Sequence, residues 1–222
     1  MLLGGHVKII EMMVVERDHS LSYSNDRNYI FLLCASPGHT FVEKARLFQI
    51  GVNMLKALDE RLKRLSKDPS DDFHCQIRNR IGKKATRLFE QRLKNLICLM
   101  PQLLSKGLAY CNRKEVPTEL KRSIGFTLTY LYHPKDFLPE DNEKLFGYLD
   151  DAYCIGLVYE KVLRTLQKAR VKLAISDEDF LKQFALMKRS VKAVIPEESK
   201  AISEMTAGVF KGNYQSFNAV FK

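Results

Sequence analysis

No stretch of this sequence approaches the run of about 20 apolar residues that a membrane-spanning helix requires. The longest apolar runs, such as AYCIGLVY, are far shorter. A basic start, a longer apolar run and a small-residue cleavage site are missing from the N-terminus. No signal peptide is therefore read, and the expected location is cytoplasmic. The patterns H-E-x-x-H, G-x-S-x-G and G-x-G-x-x-G are absent, which lowers the standing of the zinc-protease, serine-hydrolase and dinucleotide-binding classes. The segment RIGKKATR invites comparison with a phosphate-binding loop and fails it. Ile77 stands where that loop needs its first glycine, and Lys84 where it needs serine or threonine. A basic helix surface is the better reading. There is no internal repeat, low-complexity tract or flexible linker.

Cysteines are few and scattered: Cys34, Cys75, Cys98, Cys111 and Cys154. The number is odd and no pair has C-x-x-C spacing, so neither a zinc site nor a redox motif is read. Buried reduced thiols are expected. His74 and Cys75 are adjacent; on a helix they point about 100° apart, which disfavours a nucleophile–base pair.

What is present is a 222-residue chain with 45% hydrophobic residues and a net charge of +10. That suffices for one sizeable core. The charge is unevenly spread. Residues 41–100 carry 14 Lys and Arg against 7 Asp and Glu, and residues 161–194 carry 9 against 3. Between them, residues 141–160 carry 1 against 5. A basic protein thus contains an acidic island. Such surfaces attract nucleic acid, anionic membrane or acidic proteins, although a solvated helical face gives the same pattern.

Two units are expected. Residues 1–39 contain HVKIIEMMVVE and YIFLLCAS, readable as two short strands or as short buried helices. Residues 40–222 read as a mainly α, multi-helix domain of six or seven helices. Thr40 and Glu43 have capping-box spacing, and Phe41, Ala45, Phe48, Val52, Leu55, Leu58, Leu62 and Leu65 follow at helical intervals. Asp68 and Pro69 read as the next cap and first helical residue. Phe73, Ile77, Ile81, Ala85, Leu88 and Phe89 continue a helix to about Met100, where Pro101 should stop or kink it. Further helices are expected from Pro117 to about Tyr132, from Asp141 or Asn142 past Leu163, from a Ser176/Asp179 cap, and from Pro196. A docked tail is expected over residues 207–222.

The segment HPKDFLPEDNEKLFGYLDD carries the most distinctive chemistry. With residues 145–166 on a helical wheel, the middle of the helix is apolar nearly all round, as in a helix buried by its neighbours. Asp150 and Asp151 nevertheless lie within it, flanking Gly147. Desolvating an unpaired carboxylate costs several kcal/mol or more, so both need partners. Three kinds are available. Lys121, Arg122 or Lys135 could pair with them; N–H groups of the loop at 134–142 could bond them; or Asp136, Asp141, Asp150 and Asp151 could surround Mg²⁺ or Ca²⁺. The spacing is not that of an EF-hand. Internal ties are the reading adopted, and no cofactor is expected. Gly147 would admit a close backbone neighbour.

The stretch LTYLYHPKDFLPEDNEKLFGYLDDAYCIGLVYEKVL resembles the YkvA-like bacterial domain of unknown function. That family shows a helix ending in Y-x-x-x-P-x-D-x-x-P-D, then a helix bearing G-x-x-D-D. Tyr130, Pro134, Asp136, Pro139, Gly147, Asp150 and Asp151 match it; Glu140 stands where the family has Asp, with Asp141 directly after. The resemblance covers about residues 117–166. It implies a helix-loop-helix unit and carries no established activity.

The leading expectation is a non-enzymatic accessory or adaptor protein with a protein partner. The alternatives are a nucleic-acid-binding accessory protein, with Arg61, Lys63, Arg64, Arg80, Lys83, Lys84 and Arg87 as candidate contacts, and a metal-dependent enzyme using the aspartates.

Overall fold

The computed structural model describes residues 41–131, 137–138 and 144–213; of residues 41–50 and of Val52 it describes the backbone alone. The candidate strands in residues 1–36, and most of the tail after residue 207, lie outside the described residues. Seven α-helices pack together, with no strand among the described residues. They are α1 (Phe41–Lys67), α2 (Phe73–Ile81), α3 (Arg87–Tyr110), α4 (Thr118–Leu131), α5 (Leu149–Lys168), α6 (Ile175–Val194) and α7 (Pro196–Val209). Two 3₁₀ turns, Gly82–Lys84 and Leu145–Tyr148, precede α3 and α5.

Helix α5 is the axis of the fold. It packs on α3, α4, α6 and α7, and buries every residue from Leu149 to Gly156; beyond that, Val158, Val162 and Leu166 stay buried while Lys161, Arg164 and Lys168 face outward. The complete burial of the first half follows from its apolar circumference, since such a segment has no face suited to water. The second half of the stripe expected on α1 faces inward, with Leu58, Leu62 and Leu65 buried and Leu55 packed against the core; the side chains of Phe41, Ala45, Phe48 and Val52 lie outside the described residues. Helix α5 ends in a Schellman motif. Arg170 takes φ 57°, its N–H donates to Gln167 O (3.0 Å), and Val171 N–H donates to Leu166 O (3.0 Å).

Several sequence expectations are corrected. Asp68 does not cap α2. Its carboxylate accepts from Ser70 N (2.8 Å) and Ser70 Oγ (2.7 Å), closing a turn on the chain two residues ahead. The helix begins at Phe73, whose N–H donates to Asp71 Oδ1 (2.8 Å). The single helix read from Phe73 to Met100 is two. Gly82 at φ 59° leaves the helical region, and Thr86 caps α3 by accepting from Phe89 N (3.2 Å). The restart resets the helical phase, so Leu88 faces outward, 62% exposed. Leu93, Leu96, Ile97 and Met100 form the inward face instead.

Pro101 does not end α3, which runs on to Tyr110. A proline inside a helix costs about 3 kcal/mol. Burial of Ile97, Met100, Leu103 and Leu104 on either side of it offsets that cost. Helix α6 is capped at Ala174, not Ser176. Ser176 lies inside its first turn and accepts from Lys106 Nζ (2.8 Å).

Gly156 is the position on α5 where a side chain is excluded. A Cβ there would lie 2.4 Å from Phe184 Cε2 and 2.6 Å from Phe184 Cζ. The Phe184 ring is itself fixed, stacked on Phe180 at 5.0 Å. Gly156→Ala is therefore expected to lower stability by about 1–3 kcal/mol through overpacking, measured by urea denaturation; an unchanged midpoint would show that α6 can shift to admit the methyl.

Candidate functional site

The distinctive carboxylates lie at the start of α5, not in its middle. The chain enters through the 3₁₀ turn Leu145–Tyr148 and becomes α-helical at Leu149. This corrects the expected start at Asp141 or Asn142, and it places Asp150 and Asp151 in the first helical turn. There the unpaired N–H groups and the helix dipole favour negative charge. Both residues are fully buried, at 0% exposure.

Asp150 ties loop to helix. Its Oδ2 accepts from Tyr130 OH (2.9 Å), from Phe137 N (3.2 Å) and from Leu138 N (3.3 Å). One carboxylate oxygen thus holds the end of α4, the loop and the start of α5 together. Burial, then the nearby Asp150 charge, pushes the Tyr130 phenol far above its usual range, so it stays a donor. Burial likewise pushes the Cys154 thiol well up, reinforced by Asp151 and Asp150. Asp151 is enclosed one residue further along the same turn. Asp136 and Asp141 lie outside the described residues. Among the described residues, no three His, Cys, Asp or Glu side chains are grouped to hold a metal ion.

Gly147 is buried within the 3₁₀ turn, between Phe146 and Tyr148. This turn is where the acidic motif meets the basic helices. Phe146 packs edge-on against Phe73 of α2 at 6.0 Å. Arg80 of α2 lies 5.1 Å over the Phe146 ring, and Arg61 of α1 lies 5.5 Å over the Tyr148 ring. Lys94 of α3 covers Phe73 at 5.1 Å. Polar ties reinforce the contact. Leu145 N donates to Asp71 Oδ2 (2.9 Å), and Lys144 Nζ donates to Asp72 Oδ2 (2.8 Å). The Lys144 bond holds the Asp72 carboxyl below its usual range against the opposing effect of burial.

Two of the seven candidate nucleic-acid contacts are therefore engaged internally. Arg61 sits on Tyr148, and Arg80 sits on Phe146 while pairing with Glu198 (3.4 Å). Lys63 pairs with Asp59 one helical turn away (2.6 Å). Arg64, Lys83, Lys84 and Arg87 are exposed.

Sequence reasoning missed a third buried carboxylate. Asp177, in the first turn of α6, is 1% exposed. Its Oδ1 accepts from Lys106 Nζ (2.6 Å) and Tyr159 OH (3.0 Å), and its Oδ2 accepts from Tyr110 OH. Three helices meet on this one group. Burial opposes its charge, but the bonds from Lys106, Tyr110 and Tyr159 win and leave its carboxyl below the usual range. Tyr110 is pushed up to about 12 by burial and by Asp177. The available signals were Lys106 and Tyr110, one turn apart on α3, and Tyr159, a hydroxyl on the apolar stripe of α5.

The thiols are free where described. Cys111 and Cys154 are buried, but Cys75 is exposed, which corrects the expectation that all are buried. Its neighbour His74 is bonded elsewhere, with Nδ1 2.7 Å from Glu90 Oε1.

No family model, no curated protein and no solved structure matches the chain. No helix among the described residues is long and apolar enough to cross a membrane.

Asp150→Ala would strand three donors at once. It is expected to lower stability by about 2–4 kcal/mol by chemical denaturation, and Tyr130→Phe, which deletes one donor, by about 1 kcal/mol. Equal melting of Asp150→Ala and the wild type would mean that water replaces the carboxylate freely.

Asp177 predicts a pH effect. Its folded pKa is depressed, so its contribution is present above the unfolded value of about 3.9 and is lost as pH falls through the folded value. Asp177→Asn should be less stable than wild type at pH 7, with the gap narrowing below about pH 5. Melting curves from pH 7 to pH 3 read this directly, and a gap that widens on acidification would contradict it.

Proposed function

We propose that this chain is a non-enzymatic accessory protein that binds nucleic acid through phosphate contacts on its basic helical exterior. The observation that carries the reading is a sorting of charge between inside and outside. Asp150, Asp151 and Asp177 are buried. Glu160 is held by Lys188 at 2.7 Å. The described carboxylates of the acidic island, Asp150, Asp151 and Glu160, are thus turned inward or tied, while exposed lysines and arginines outnumber the exposed acids, such as Glu60, Asp68, Glu178 and Asp179, on a chain of net charge +10. The exterior that a partner meets is more uniformly positive than the sequence pattern alone suggests, and such a field favours a polyanion.

The enzyme reading has less support. The buried oxygens of Asp150 and Asp177 accept from the protein's own donors, where a substrate has no access. The protein-partner reading has less support as well. Large exposed apolar side chains among the described residues are Leu88, Ile175 and Leu186, on α3 and α6. Protein interfaces are usually centred on clustered aromatic or apolar anchors. The resemblance of residues 117–166 to the YkvA-like domain remains part of this proposal and brings no activity to it.

The test is fluorescence anisotropy with labelled duplex DNA and duplex RNA at two salt concentrations. Micromolar or tighter binding at 50 mM salt is expected, weakening by about tenfold or more at 200 mM, as counterion release requires. Absence of binding at low salt would remove the reading and return the protein-partner alternative to first place.

A further inference from the structure

We infer that residues 78–87 form the phosphate-contacting corner of the protein and that its partner is the backbone of double-stranded nucleic acid. This rests on the reading above and names the surface that would perform it. The segment RNRIGKKATR places Arg78, Arg80, Lys83, Lys84 and Arg87 within ten residues, and no Asp or Glu occurs from residue 73 to residue 89. Helix α2 ends at Ile81, the 3₁₀ turn spans Gly82–Lys84, and α3 starts at Arg87.

The corner is braced from below. His74 at the start of α2 bonds Glu90 in the first turn of α3 (2.7 Å), and Lys94 of α3 lies over Phe73 of α2 (5.1 Å). The start of α2 is therefore tied to the first eight residues of α3, and residues 82–86 connect the two helices beside these ties. Asp71 and Asp72 anchor α2 to the 3₁₀ turn before α5. The charges are thus displayed on a fixed support, and little backbone order has to be gained on binding.

Arg80 is diverted to Phe146 and Glu198. Arg78, Lys83, Lys84 and Arg87 are exposed and make no ion pair with the described residues. Asn79 and Thr86, also exposed, add side-chain groups of the kind that bond phosphate oxygens.

Composition selects the partner class. A protein interface is depleted of lysine at its centre and built on aromatic anchors; this corner has two lysines, two free arginines and no aromatic residue between Phe73 and Phe89. Single-stranded nucleic acid is held by stacking its bases on aromatic side chains. Among the described residues no Phe or Tyr side chain is exposed, and the exposed His74 ring is held by Glu90. A duplex backbone asks for cations and hydrogen-bond donors alone, and binding of this kind is indifferent to base sequence.

The experiment compares the full chain with two charge-reversed double variants. Lys83→Glu/Lys84→Glu alters the corner. Lys168→Glu/Lys172→Glu makes the same net change at and just beyond the C-terminal end of α5, about 30 Å along that helix from its start at Leu149. All four lysines are exposed, and melting curves verify that each variant folds. Anisotropy is read with a 20-base-pair duplex, the matching single strand and a poly-glutamate competitor at several salt concentrations. The corner variant is expected to lose at least tenfold in duplex affinity, with a salt slope shallower by about 2. The control variant is expected to lose less than threefold. Equal losses in both variants would overturn the corner assignment and leave the nucleic-acid reading intact. Tighter binding of the single strand than of the duplex, or displacement by poly-glutamate as effective as by duplex, would overturn the choice of partner. Failure of the wild type to bind any nucleic acid would sink both.

Discussion

A carboxylate removed from water must be surrounded by donors, and Asp150 imposes that demand at the centre of this fold. It sits at 0% exposure where α4, the following loop and α5 converge. Isolated burial of such a charge costs several kcal/mol after relaxation. Here the helix N-terminus, a phenol and two loop N–H groups meet that cost together. The bonds have a geometric consequence. They fix where the loop crosses, and hence where the 3₁₀ turn delivers the chain into α5. Asp177 repeats the arrangement at the start of α6, with one lysine and two tyrosines as donors. The two acids pin successive neighbours, α4 and α6, in register with the central helix.

The 3₁₀ turn Leu145–Tyr148 converts that local requirement into a global one. Its backbone bonds Asp71, its aromatic rings take Arg61 and Arg80, and its Phe146 meets Phe73. An arginine over an aromatic face contributes about 0.5–2 kcal/mol, depending on desolvation. Several such contacts at one turn bind α1 and α2 to the start of α5. The basic residues of the first half of the domain therefore have two fates. Some close over aromatic rings and become part of the fold. Others, on the 3₁₀ turn Gly82–Lys84 and at its flanks, stay in water. Inward-facing acids and outward-facing cations are two aspects of one packing solution, and the outward set gives the protein its surface chemistry.

What the sequence by itself determined is the helical class, the inward stripe of α1 from Leu55 to Leu65, the all-round burial of the first half of α5, and the need of Asp150 for partners. These follow from periodicity and from the cost of burying charge, both of which are local properties of the chain. The start of α7 at Pro196 was legible for the same reason, because a proline at the first helical position loses no hydrogen bond. What only the tertiary structure decided is the identity of the partners. Asp177 and Lys106 are 71 residues apart in sequence, and Leu145 and Asp71 are 74 apart. No spacing rule links such residues, because packing alone brings them together. Packing also overrode local rules. Pro101 stays inside α3 because apolar burial on both sides outweighs a lost hydrogen bond, and Leu88 faces water because a five-residue break, residues 82–86, shifted the helical phase. Whether an arginine lies on a phenylalanine or in solvent depends on which rings its own helix meets, and a linear sequence does not contain that information.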